Sequence, residues 1–318
     1  MHCVILGGGA LGTLLAGHLS QAGHHVQLIA RGARADYLAA QGLVIHGLNK
    51  IAARCEVVRD PAVVTAADLF INTVKTYDSV AALASLRRLQ PRVALSVQNG
   101  VVKEEELCAR FGRAAVLGTM ADFSGEVTDD GSVLFTRNIY LHLGELDGTM
   151  SDRATLIATA INSAGINTRV VDNIQSIAWS KYTGWVALMV LAVLTRKTTG
   201  LYLSDPNIAR LTAQIVREMA RLAAGLHIPL VDISPIPVAR VLAANDDAIT
   251  VIQEVGARMH AAAPTHRMSS LQDLLRGRRL ELDETVGHAL RAGAELGLEL
   301  PTLETCYRLA AALNPAIA

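Results

Sequence analysis

The chain has 318 residues, more than one typical hydrophobic core accommodates, so two domains are expected. Apolar residues make up 51% and charged ones 18%, and 29 basic side chains balance 29 acidic ones. That composition excludes a long disordered tail, and the absence of any basic block longer than RGRR (276–279) argues against a nucleic-acid or membrane-surface partner. Up to about residue 172, β-rich runs alternate with helical ones. CVILG (3–7), HVQLIA (25–30), LFINTV (69–74) and RVALSV (92–97) are the unbroken apolar runs of parallel strands buried on both faces. LGTLLAGHLSQAG (11–23) and SVAALASLRRL (79–89) carry helical patterns between them. AVLGTMADFS, GSVLFT and NIYLHLGE, within 115–145, read as three later strands, turning at Asp129-Asp130-Gly131 and at Arg137-Asn138.

From Asn173 the texture becomes helical: 173–197, 205–226, 238–261, 270–276 with 278–297, and 302–313. Breaks fall at Pro206, Pro229, Pro235-Ile236-Pro237, Pro264 and Pro301. The expected fold class is therefore α/β. A Rossmann-type, doubly wound parallel sheet spans 1–172, and an all-helical C-terminal domain spans 173–318. Two-domain enzymes commonly place the active site in the cleft between domains. The four cysteines (Cys3, Cys55, Cys108, Cys306) stand apart, with no CxxC and no histidine at ligand spacing, so reduced thiols and no metal site are expected. The N-terminus has no basic leader, and the apolar residues 185–194 are too few to cross a bilayer. A soluble, cytoplasmic protein is the expectation.

Gly7, Gly9 and Gly12 stand in G-x-G-x-x-G spacing directly after a strand and at the opening of a helix. The first glycine permits a tight turn, the second lets backbone approach a pyrophosphate, and the third lets helix and strand pack closely. Gly8, Ala10 and Leu11 complete the loop, and phosphates would sit at the positive end of the helix that begins near Ala10. The second strand of a NAD-binding unit ends on an acid that bonds the ribose hydroxyls. Here Arg31 stands there, with Arg34 close behind and no acid before Asp36, which favours NADP (NADPH).

The glycine loop with Arg31, VKTYD (74–78), QNG (98–100), SKYTG (180–184), RKTTGLYLSDPNIARL (196–211) and SSLQDLLRGRRLELDE (269–284) together resemble the ketopantoate reductase (2-dehydropantoate 2-reductase) family. The resemblance covers nearly the whole chain in the right order. It implies reduction of a 2-oxo acid by NADPH, ketopantoate to pantoate in the family's pantothenate chemistry. It also assigns Lys181 as the group that polarises the carbonyl and protonates the nascent alkoxide, and Glu281 as its acidic partner. Ser269 matches a serine that binds substrate carboxylate, although Ser269-x-x-Gln272 also fits a helix capping box. Lys75 and Asn99 follow two parallel strands, where open α/β sheets bind ligands, and the resemblance places both near nicotinamide and substrate. Asn99 before Gly100 is also ordinary turn chemistry.

The physical chemistry of Lys181 agrees. Hydride addition places negative charge on oxygen, and an ammonium in a water-poor cleft stabilises it. A lysine that snorkels from a helix end is the plainer alternative. The match fails where the family carries asparagines one and two turns after the lysine and another before the next glycine. This chain has Trp185, Met189 and Thr199. Residues at i, i+4 and i+8 share a helix face, so Trp185 and Met189 should look where Lys181 looks and turn a polar wall apolar. A more apolar 2-oxo acid is then the expected small-molecule substrate. A non-catalytic NADP(H)-binding regulatory or interaction protein and a dehydrogenase of imines or opine-like substrates are the competing readings. Homodimer and monomer both stay open.

Overall fold

The computed structural model of the chain describes residues 1–233 and 235–314; the last residues of the expected helical domain, 315–318, lie outside them. The chain divides into two compact units, Met1–Ile174 and Gln175–Ala318.

The first unit opens β1 (His2–Leu6), α1 (Ala10–Gln21), β2 (His25–Ile29), α2 (Gly32–Gln41), β3 (Leu43–Gly47), β4 (Ile51–Ala53) and β5 (Glu56–Val58). It continues with β6 (Ala66–Asn72), α3 (Thr76–Ser85), β7 (Gln90–Ser96), α4 (Lys103–Phe111), β8 (Leu117–Val127), β9 (Val133–Glu145), α5 (Asp152–Ser163) and β10 (Thr168–Val170). One sheet has the order β5-β2-β1-β6-β7, with all pairs parallel. Chain order runs outward from β1 in one direction and then resumes on its other side at β6, so the β1/β6 junction is the topological switch point. Ligands of open α/β sheets bind beyond the carboxyl ends of the strands at that point.

A second, mixed sheet has the order β10-β9-β3-β4, with β8 antiparallel to β9. The sequence shows strands at β8 and β9 but not β3, β4 or β10, nor that these segments pair into one sheet, because the pairing joins residues distant in the chain. Helix α1 joins the two sheets: Leu14, Leu15 and Leu19 share one core with Ile5, Leu28 and Ile71 of the first sheet and with Ile45, Phe135 and Leu141 of the second. All three leucines are fully buried, each contributing roughly 2 kcal/mol. The opposite face of the parallel sheet forms its own core from Val4, Leu6, Phe70, Leu83 and Leu107.

GSVLFT and NIYLHLGE form the single strand β9, and Arg137-Asn138 is not a turn but part of a stretch where the β8–β9 register slips. The polar side chains that read as a turn make tertiary bonds instead. Arg137 grips Asp122 through Nε (2.7 Å) and Nη2 (3.0 Å), and Asn138 donates to the Gly165 carbonyl at 3.0 Å.

The second unit comprises α6 (Ile174–Thr195, entering from the junction), α7 (Thr199–Ser204), α8 (Pro206–Gly225), α9 (Val238–Ala243), α10 (Ala248–Ala262), α11 (Ser269–Leu275), α12 (Val286–Glu295) and α13 (Pro301–Ala312). Among the described residues it contains no strand. Helix α6 is apolar on every side, the mark of a core helix. At 22 residues it is long and apolar enough to cross a membrane, contrary to the count over 185–194 alone; 89% of its most apolar window is buried within the protein. Buried Glu218 of α8 accepts from the backbone N–H groups of Thr302 and Leu303, both at 2.9 Å, and so places a carboxylate on the positive end of α13.

Two expected helices are interrupted. The 238–261 span breaks at Asn245, whose φ of 45° is left-handed, into α9, a single 3-10 turn and α10. The 278–297 span becomes helical only at Val286, so Glu281 lies in a turn segment instead of on a helix. That segment is fixed by bonds outside itself: Tyr182 donates to the Thr285 carbonyl at 2.7 Å, and the Leu280 N–H donates to Asn314 Oδ1 at 2.8 Å.

Candidate active site

In the first unit the glycine loop leaves β1 with Gly7 at φ +111°, a conformation that side chains rarely adopt. A Cβ on Gly12 would lie 1.9 Å from the Gly7 carbonyl oxygen, so the α1 backbone touches the loop directly. A Cβ on Gly9 would meet no atom within 4 Å, which leaves open space beside the first turn of α1. Thr73, following β6, clamps the loop by donating toward the Leu6 and Gly7 carbonyls at 2.9 and 2.8 Å. An N-terminal helix turn with free backbone donors and no side chain in the way is chemically suited to a dinucleotide diphosphate, so these residues fit a nicotinamide dinucleotide.

The two arginines after β2 divide their tasks. Arg34 is turned inward: Nε donates to the Gly8 carbonyl at 2.6 Å, Nη2 to Thr13 Oγ1 at 2.9 Å, and Nη1 to the Gly131 carbonyl of the β8–β9 turn. Its guanidinium also lies over the Tyr37 ring, 5.1 Å from the centroid. Arg34 therefore fastens the loop, and its sequence position beside Arg31 gave no sign of this. Arg31 is exposed, and its Nη2 reaches Asp78 Oδ2 of α3 at 3.0 Å.

Lys75 is the N-cap residue of α3 and Asn99 follows β7; both are half-buried. The loops that carry them are joined from beneath by buried amides. Gln98 donates from Nε2 to the Val74 carbonyl at 2.8 Å, while its Oε1 accepts from Asn72 Nδ2 (3.2 Å) and Ser96 Oγ (2.8 Å). Asn72 also donates to Ser79 Oγ at 3.1 Å, and Ser79 donates in turn to Glu106. A buried network of this kind holds only if its members are satisfied, which makes the spacing of the two loops definite. Asn72, Ser96 and Gln98 close otherwise apolar strand runs, and polar residues at the ends of such runs are the sequence signal of this network.

In the second unit Lys181 is half-buried on α6, on a turn fixed at both sides. Ser180 donates to the Ser176 carbonyl at 2.6 Å and accepts from the Val231 N–H at 2.8 Å, and Tyr182 is the residue bonded to Thr285. Thr285 donates to the Glu281 carbonyl and also contacts Met189 Sδ at 3.5 Å. The fold thus ties the segment bearing Glu281 to α6 at positions 182 and 189. Glu281 is 9% exposed, Trp185 6% and Met189 1%. Beside them, burial raises the Glu284 carboxyl above its usual range against the pull of Arg279, which bonds it at 2.8 Å.

Ser269 is exposed and forms the first turn of α11; Met268 is the N-cap, without a side-chain bond, so the capping-box expectation is not met. Its neighbour Ser270 is the buried one, donating to the Met189 carbonyl at 3.1 Å. Thr199 is fully buried, and its hydroxyl pairs with His266 Nδ1 at 2.9 Å. Nothing in the sequence spacing of Thr199 and His266 announces this pair.

Comparison with known proteins matches residues 3–148 to the family model described as "Ketopantoate reductase PanE/ApbA" and residues 173–314 to its C-terminal model. A 2-dehydropantoate 2-reductase of Archaeoglobus fulgidus is 28% identical over 305 residues, covering 96% of this chain and 95% of that protein. Among solved structures, a PanE/ApbA family ketopantoate reductase from Ralstonia eutropha JMP134 superposes with a TM-score of 0.83 at 24% identity, covering 98% of each chain. A D-mandelate dehydrogenase in complex with NADH and anilino(oxo)acetate gives 0.85 at 21% identity and the same coverage. With both models spanning most of its length, this chain belongs to the ketopantoate reductase family and is an oxidoreductase of that family.

Proposed function

We propose that this protein reduces a 2-oxo acid to the 2-hydroxy acid with NADPH, and that its preferred substrate carries a more apolar side chain than ketopantoate. The observation that carries the second part is the α6 face. One and two turns beyond Lys181 stand Trp185 and Met189, both buried, and the third divergent position, Thr199, spends its hydroxyl on His266. None of the three offers the amide that the family's asparagines would offer a substrate hydroxyl. A site without those partners loses the affinity they supply while accepting an apolar group readily. The mandelate dehydrogenase of the same fold holds anilino(oxo)acetate, so the fold is compatible with an aromatic group next to a 2-oxo carboxylate.

A bound nicotinamide would supply the hydride for the carbonyl carbon. The residues of this chain do the rest. Gly7 to Gly12 and the first turn of α1 hold the diphosphate, and Arg31 binds the 2′-phosphate. Lys75 and Asn99, spaced by the Gln98 network, align the reacting end. Lys181 Nζ donates a hydrogen bond to the substrate oxygen, stabilises the charge that develops there, and transfers its proton to give the hydroxyl. Glu281 holds the lysine in place, and Ser269 bonds the carboxylate.

The test is a panel of ketopantoate, 2-oxoisovalerate and phenylpyruvate, each assayed with NADPH and NADH, on wild type and Lys181→Ala. Lys181→Ala should abolish turnover and leave nucleotide binding intact. Unchanged turnover in that variant would remove the catalytic assignment. Ketopantoate reduced far faster than phenylpyruvate would overturn the substrate assignment. No turnover of any 2-oxo acid, with nucleotide still bound, would favour a non-catalytic NADP(H)-binding protein.

A further inference from the structure

We infer that Asp78 sets the cofactor preference of this protein, acting on the arginine that reads the adenosine ribose and giving the enzyme use of NADH as well as NADPH. The inference rests on the cofactor site proposed above and concerns only what happens at its ribose end. Arg31 closes β2 as the N-cap of α2, at the sheet edge where the 2′ substituent of a dinucleotide is read. Its side chain is 86% exposed, yet Nη2 is held 3.0 Å from Asp78 Oδ2. Asp78 reaches it from another element, as an acid in the first turn of α3 whose N–H bonds the Lys75 carbonyl at 2.9 Å, so its place is set by the start of that helix.

This brings an acid to the tip of the arginine that closes β2, a strand with no acid of its own at that end. A carboxylate at the ribose end accepts hydrogen bonds from the 2′-hydroxyl of NADH, the role a strand-end acid plays in NAD-specific enzymes. The same carboxylate opposes a 2′-phosphate, because both anions compete for one guanidinium and repel each other at close range. Arg31 supplies the opposite bias. An ion pair this exposed is worth little to folding, so the guanidinium exchanges carboxylate for phosphate readily and the pair can be altered without harm to the fold. The favourable end of α3 also suits an acid at position 78, but that role is indifferent to which nucleotide binds.

The experiment measures dissociation constants of NADPH and NADH, by quenching of protein fluorescence, for wild type, Asp78→Asn and Arg31→Ala. Asp36→Asn serves as control, since Asp36 forms a comparable surface pair with Arg59 at 2.7 Å. Asp78→Asn should tighten NADPH by about tenfold, the effect of removing one charge close to a phosphate, and weaken NADH several-fold. Arg31→Ala should weaken NADPH and leave NADH nearly unchanged, and the control should leave the ratio of the two constants as in wild type. If wild type binds both nucleotides and Asp78→Asn leaves that ratio within twofold, the inference is overturned while the cofactor site stands. If wild type binds neither, the cofactor site itself fails and the inference falls with it. Thermal melts of all variants confirm that each compared protein is folded.

Discussion

Replacing Arg34 by alanine tests whether this arginine holds the dinucleotide loop or reads the dinucleotide. The side chain makes three hydrogen bonds, to the Gly8 carbonyl, the Thr13 hydroxyl and the Gly131 carbonyl, and packs on Tyr37. A hydrogen bond from a charged donor contributes about 1.5–3 kcal/mol net. Arg34 is half-buried, so water recovers part of what is lost, and the expected total is about 2–4 kcal/mol. For a unit of this size that corresponds to a melting temperature lower by roughly 4–16 °C. Arg34→Lys keeps the charge but not the planar fork, and should fall between wild type and alanine. Differential scanning fluorimetry gives the melting temperatures, and NADPH and NADH titrations give the affinities. Both nucleotides should weaken together, because the loop that serves both has lost its fastening. A melting temperature within 1 °C of wild type, or a loss confined to NADPH, would refute the reasoning and make Arg34 a phosphate reader.

The glycines of the loop should separate by what their Cβ would meet. Gly12→Ala forces a carbon against the Gly7 carbonyl at 1.9 Å and should cost about 1–3 kcal/mol or more, visible as a lower urea midpoint. Gly9→Ala meets nothing, so its midpoint should match wild type while nucleotide affinity drops; equal midpoints for both variants would contradict the geometry. Acid should destabilise the first unit through His18. Burial lowers the pKa of this imidazole below 6.5 against the opposing hydrogen bond from Nδ1 to the Ala164 carbonyl at 2.8 Å, and Nε2 has no partner among the described residues. The unfolded chain then binds the proton first, so stability is level above about pH 6.5 and declines as pH falls from there toward the lowered folded value. Melting temperatures across pH 7.5 to 5.5 should fall more steeply for wild type than for His18→Gln; parallel curves would exclude this histidine as the cause.

Much of this protein was legible in the residue order because the relevant physics is local. A strand buried on both faces must be an unbroken apolar run, so β1, β2, β6 and β7 could be read to within three residues at each end, and with them the parallel sheet. A loop that turns tightly and lets a helix backbone touch it needs glycine at fixed spacing, so Gly7 and Gly12 marked the glycine loop between β1 and α1. The long helix bearing Lys181 was equally plain from its apolar length. What the order could not show depends on partners far along the chain. The second sheet is built from strands of three to thirteen residues whose pairing, β3 to β9 and β9 to β10, links segments distant in sequence. Arg137 and Asn138 looked like a turn because their partners, the Asp122 carboxylate and the backbone of the 165–167 loop, are named only by the fold. In the sequence Arg31 stands as the phosphate reader and Arg34 only as its neighbour; the fold gives Arg34 three carbonyl and hydroxyl acceptors and pairs Arg31 with Asp78. Glu281 left its expected helix because Tyr182, Thr285 and Asn314 hold that segment in turns. Local patterning determined which elements form and where the glycine loop lies. The destination of each polar side chain was decided by tertiary structure, because a hydrogen bond is satisfied by whatever group the fold brings within 3 Å of it.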